Sequence, residues 1–232
     1  MTTTFARQTV AVIGLLAFSS NGFGAAIEQA AANPSMQVPG ACNVPIAQRT
    51  SEAGCYLLAT ENVSAPQSEA PYWHLDEYRA RGEAEADRGG NGTVVMSFGR
   101  IWLFTIASSS FRSPRGKRIA SIGPLPTRAG IRYLARYMEA VFPPGTDSRN
   151  LVHTHPGPEA WFVVSGAQCL ETPDGTTVVG AGQSNVVREG PPMSIAGVGK
   201  ETRRSLVLVL HDASQPWAMM SDDWRPKGLC PQ

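Results

Sequence analysis

The stretch His153-Thr154-His155-Pro156-Gly157-Pro158-Glu159-Ala160-Trp161-Phe162-Val163-Val164-Ser165-Gly166 decides how this chain is read. Its pattern is H-x-H-x3-E-x6-G. Side chains on an extended segment alternate with period two, so His153 and His155 project to one face. Glu159 then places a carboxylate ahead of the apolar run Trp161–Val164. Two neutral imidazoles and one carboxylate, gathered on one side, suit a borderline divalent metal and leave coordination positions open for water, oxygen or substrate. The alternative is that the two histidines fill a barrel interior.

The spacing resembles the first motif of the cupin superfamily, G-x5-H-x-H-x3,4-E-x6-G, and the match is full from His153 to Gly166. Upstream, seven residues separate Gly145 from His153 where the motif has five. The second motif, roughly G-x5-P-x-G-x2-H-x3-N, aligns with Gly182 and Pro191-Pro192, setting Met193 at its histidine and Gly197 at its asparagine. The resemblance covers roughly residues 131–212. It implies a mainly β fold, a double-stranded β-helix or jelly-roll barrel, with the site inside. It also implies one divalent metal ion (Zn, Mn, Fe or Ni) and a small-molecule ligand or substrate, and it leaves a homodimer open.

A thioether is a poor partner for metals that favour histidine and carboxylate. Met193 therefore leaves the site with three protein ligands (His153, His155 and Glu159), with a further ligand from outside the motif, or empty. Three ligands with open positions still make a workable catalytic site. The resemblance implies an enzyme of dioxygenase, isomerase or lyase type. The alternative is a non-catalytic sugar or small-ligand binder with a degenerate metal site, and a third reading is a structural barrel in which the motif only packs. Candidate pocket residues are Trp161, which shares the face of Glu159, together with Tyr133, Tyr137 and Met193. His74 and His211 are weaker metal candidates. Arg203-Arg204 reads as a solvated turn, with a site for a substrate carboxylate as the other possibility.

The N-terminus reads as a targeting segment. Arg7 supplies a positive start, Val10–Phe18 a short apolar core, and Gly24-Ala25-Ala26 a small-x-small cleavage site. Cleavage near Ala26, or near Ala31, leaves an exported chain, periplasmic or secreted, and no second apolar run approaches membrane length. An oxidising compartment makes the four cysteines legible as two disulfides. Three pairings are open for Cys42, Cys55, Cys169 and Cys230. Pairing Cys42 with Cys55 and Cys169 with Cys230 keeps each bridge within one structural unit.

The 232 residues contain 23 Gly and 18 Pro, which suits strands and turns. A formal charge of +1 gives no reason to expect nucleic acid or an anionic membrane as partner. Neither a G-x-S-x-G elbow nor a phosphate-loop lysine pattern is present. The organisation expected is a signal segment (1–26), an N-terminal extension (27–91) and a cupin-like barrel (92–232). The extension carries a helix over Leu75–Asp87, rich in Glu, Arg and Ala. Strands are expected at Val94–Phe98 and Ile101–Ile106, joined by Gly99-Arg100, at Ile119–Ile122, at Ile131–Phe142, and in a series from Phe162 to His211.

Overall fold

The structure, a computed structural model, describes Met1 and residues 42–63, 70–90, 92–146 and 151–231. The targeting segment read at residues 1–26 lies outside them, apart from Met1. Fourteen strands account for about half of the described residues. A five-stranded antiparallel sheet forms its centre, in the order β1 (Gly54–Val63), β6 (Tyr133–Phe142), β13 (Arg203–Asp212), β8 (Glu159–Ser165), β11 (Ser184–Val187). A three-stranded sheet of β10 (Gly175–Gly180), β9 (Ala167–Thr172) and β12 (Ser194–Val198) faces it. A short pair, β14 (Met219–Met220) with β7 (His153–Thr154), lies near the histidine motif. Together these make the double-stranded β-helix.

A fourth sheet, β3 (Gly92–Ser97), β4 (Arg100–Ala107), β2 (Tyr72–Tyr78) and β5 (Lys117–Ile122), covers the other face of the central sheet. Alternation along the central strands therefore sorts side chains into two cores rather than into core and solvent. On β6, Met138 and Ala140 face the barrel interior while Tyr133, Ala135 and Tyr137 face the fourth sheet. On β13, Val207 and Val209 face inward while Leu206, Leu208 and Leu210 face outward. Burial on both faces is why Leu206–Leu210 reads as an unbroken apolar run.

The outer core is aromatic. Phe104 packs edge-on against Trp73 at 5.3 Å and tilted against Tyr137 at 5.1 Å between centroids. Offset and edge-to-face contacts of this kind add to the area that each ring buries. A polar link crosses the same interface: the buried Glu139 carboxylate accepts from Arg49 Nη1 and Ser97 Oγ, both at 2.6 Å.

The helix expected over Leu75–Asp87 is shorter: α1 spans Arg81–Asp87, and Tyr72–Tyr78 is a strand. β2 is hydrogen-bonded on both edges, to β4 and β5. Trp73 and Leu75 enter the outer core, and Asp76 is neutralised by Arg118 at 2.7 Å. Tertiary pairing overrides the helix propensity there. Strands β1 and β2, from the segment 27–91, thus pair with strands of residues 92–232. The cysteines pair as Cys42–Cys55 and Cys169–Cys230.

Candidate metal centre

His153 is placed by two neighbours at once. Its backbone exchanges hydrogen bonds with Met193, at 3.2 and 2.9 Å, and β14 pairs Met220 against it. His155 follows, and the turn Pro156-Gly157-Pro158 leads into β8, where Glu159 is the first residue. That turn lies directly on β13: Leu210 N donates to Pro158 O and Asp212 N to Pro156 O, both at 2.9 Å. A Cβ at Gly157 would collide with the Leu210 carbonyl oxygen, so only glycine allows this approach. Gly166, the last residue of the motif, has φ +68° and turns the chain from β8 to β9.

His153, His155 and Glu159 are all buried, and one ligand atom from each lies within 4.8 Å of the others. Each imidazole is oriented by its Nδ1: that of His153 sits 2.7 Å from Leu151 O, that of His155 2.7 Å from Trp217 O. A carbonyl can only accept, so Nδ1 carries the proton and Nε2 keeps a lone pair, the tautomer suited to metal ligation. Burial pushes the His153 imidazole down to about 4, helped by neighbouring His155, so the ring is neutral near pH 7. His155 Nε2 and Glu159 Oε2 are buried, lack a hydrogen-bond partner and lie 3.6 Å apart. Buried acceptors seldom go unsatisfied, and a cation shared between these two would satisfy both. The residues present fit a divalent metal.

The group opens onto a cavity of about 70 Å³, bounded by apolar side chains including Met138, Phe142, Leu151 and Trp217, and by Arg203. Trp161 and Met193 lie in the inner core but outside the cavity wall. Tyr133 and Tyr137 point to the opposite face of β6, where Tyr137 Oη donates to Glu61 at 3.0 Å and Tyr133 Oη accepts from Arg128 N at 2.8 Å. His211 is buried with its Nδ1 2.9 Å from Asp212 O, and His74 is held by Ser108, Ser121 and Arg118 in the fourth sheet. Neither belongs to the cluster of His153, His155 and Glu159.

The expectation of a solvated turn at Arg203-Arg204 is corrected. Both residues belong to β13; Arg203 is 2% exposed and lines the cavity, while Arg204 faces Glu52 at the surface. The alternation Arg203, Ser205, Val207, Val209 carried this signal, since the residue in phase with the inner-core valines faces inward. No local pattern marks Trp217, which reaches the site through the tail.

No family model and no curated protein matches the chain. Solved structures do. A cupin-like protein from Thermotoga maritima is 16% identical, with a TM-score of 0.33, over 38% of this chain and 64% of that one, a little under two-thirds of its length. A cupin superfamily protein from Desulfitobacterium hafniense is 16% identical, with a TM-score of 0.30, over 38% of this chain and 74% of that one. A conserved protein with a double-stranded β-helix domain from Klebsiella pneumoniae is 15% identical, with a TM-score of 0.33, over 63% of this chain and 99% of that one. Within this chain, the H-x-H-x3-E-x6-G motif runs from β7 along β8 and turns His153, His155 and Glu159 into the interior of the double-stranded β-helix.

Proposed function

We propose that the chain is an exported protein that holds one divalent metal ion through His153, His155 and Glu159 and acts on a small molecule in the adjoining cavity. The observation that carries this reading is the pair of buried, unpartnered acceptors, His155 Nε2 and Glu159 Oε2, facing one another at 3.6 Å. Leaving two such buried groups unsatisfied costs about 1–3 kcal/mol each, a cost that a metal removes. Bound there, zinc, manganese, iron or nickel would supply Lewis acidity or, for a redox metal, oxygen chemistry. The residues themselves orient the two imidazoles, hold that of His153 neutral and line the cavity with an apolar wall. The reaction class is a dioxygenase, isomerase or lyase. Two disulfides support an oxidising, exported setting.

A second reading, a metal-holding small-ligand binder without turnover, is favoured by Met193. It stands where the cupin pattern has a third histidine, and it lies in the inner core outside the cavity wall. Turnover of candidate small molecules by the metal-loaded protein separates the two readings.

Elemental analysis of protein purified without chelators or a polyhistidine tag tests the site. About one equivalent of metal is expected, lost in the His153→Ala/His155→Ala variant. Absence of metal after incubation with zinc, manganese and iron salts overturns the reading and leaves His155 and Glu159 as a buried polar pair.

A further inference from the structure

We propose that Arg203 is an anion anchor in the barrel cavity, and that the ligand it takes is a short aliphatic carboxylate. The inference goes beyond the metal site and stands without it. Arg203 Nε and Nη2 both donate to Ser205 Oγ, at 3.1 and 2.5 Å, and the guanidinium carbon lies 4.6 Å from the centre of the Phe142 ring. The third nitrogen, Nη1, is buried and has no partner. The residue is 2% exposed and lines the cavity shared with His153, His155 and Glu159.

A guanidinium withdrawn from water loses strong hydration, and the loss is recovered only by a close counter-charge with its donors filled. Arg203 has one neutral hydroxyl and an aromatic face. Among the described residues no carboxylate forms an ion pair with it, and Glu159 acts only at longer range. A metal held by Glu159 would take up that carboxylate as well. Burial lowers the Arg203 guanidinium to about 9, which still leaves it charged at neutral pH. The charge, its free N–H groups and the adjoining space therefore lack one component, an acceptor bearing negative charge.

The rest of the wall says what else the ligand carries. Met138, Leu151, Ile195 and Val207 offer no hydrogen-bonding side chains. The cavity of about 70 Å³ has room for a small molecule, since about 10–15 Å³ of such space already admits one water. A carboxylate on a chain of about two to four carbons satisfies charge, polarity and volume together.

The test is calorimetric titration of the full chain, metal-free, with propionate and with its uncharged isostere propionamide. Propionate is expected to bind one to one, with propionamide about tenfold to a hundredfold weaker. Arg203→Met is expected to abolish the preference for the anion. Arg203→Lys keeps the charge as a point donor and, where the methionine variant does not fold, replaces it, with an expected loss of at least about tenfold. No propionate binding by the wild type, equal binding of acid and amide, or unchanged affinity in a folded Arg203 variant overturns the inference. Propionate binding without metal uptake sinks the metal reading alone. Metal uptake with no carboxylate affinity, in both metal-free and zinc-loaded protein, sinks the carboxylate reading alone.

Discussion

The ring of His155 is tied to the C-terminal tail: its Nδ1 lies 2.7 Å from the carbonyl oxygen of Trp217, 62 residues further along. The Trp217 indole stacks on the same imidazole at 5.6 Å, and Arg136 covers the indole at 4.9 Å. Beyond Trp217 the tail pairs Met219 and Met220 with Thr154 and His153, gives two backbone N–H groups to the buried Glu171 carboxylate, and ends in the Cys169–Cys230 bridge. The group that orients the His155 imidazole therefore depends on a segment that has little core of its own and is fastened at its far end.

Opening that fastening is expected to weaken the metal site. In the Cys169→Ala/Cys230→Ala variant, loop-closure entropy for a separation of 61 residues predicts a stability loss of about 4 kcal/mol. Metal affinity is expected to fall about tenfold to a hundredfold, the usual consequence of losing a group that orients a ligand. Chelator competition on the folded variant measures the affinity and denaturant unfolding the stability. An affinity equal to wild type would show that Trp217 keeps its place without the bridge.

Acid is expected to destabilise the metal-free protein well above the carboxylate range. His153 is held near 4 in the fold against an ordinary value of 6.5. The unfolded chain therefore binds the extra proton first, and stability present above about pH 6.5 drains away as pH falls toward about 4. At most roughly 3 kcal/mol comes from this residue. His74 and His211 are shifted down by burial too and act in the same direction. Unfolding followed at steps from pH 7.5 to 4.5 should show a shallower acid limb for His153→Asn than for wild type, and equal limbs would remove His153 as a cause.

The covering sheet is expected to act as scaffold. Phe104 is fully buried between Trp73 and Tyr137, away from the cavity. Phe104→Ala should cost about 3–5 kcal/mol while the folded variant still takes up one metal ion. Loss of metal from a folded Phe104→Ala protein would show that the two cores are coupled.

How far the sequence alone carries depends on whether a residue's surroundings are local. The clustering of His153, His155 and Glu159 was legible because spacing on an extended chain fixes direction, and Gly157 and Gly166 mark two turns of the motif. The strand at Tyr72–Tyr78 was hidden because His74 and Asp76 are buried by partners more than 30 residues away, so their polarity mimics a solvated helix face. The same mechanism turned Tyr133 and Tyr137 into pocket candidates. Period two puts them on one face, but only the presence of a fourth sheet decides that this face is not the cavity. Arg203 looked solvated because charge usually is, and its phase with Val207 and Val209 was the better guide.

Gly157 offers the sharpest separation of site geometry from stability. A methyl group there meets backbone, the Leu210 carbonyl oxygen and His211 Cα, neither of which can rotate away. The turn must lift from β13, straining the 2.9 Å bonds from Leu210 N and Asp212 N, and Glu159 moves relative to His155. Gly157→Ala is expected to cost about 1–3 kcal/mol and to lower metal affinity at least about tenfold, the scale reached when ligand orientation is lost. Gly90→Ala serves as the control, since nothing lies within 4 Å of its added carbon. Isothermal titration of both variants with zinc decides the matter. If Gly157→Ala binds zinc as wild type does, the contact between turn and strand does not set the position of Glu159.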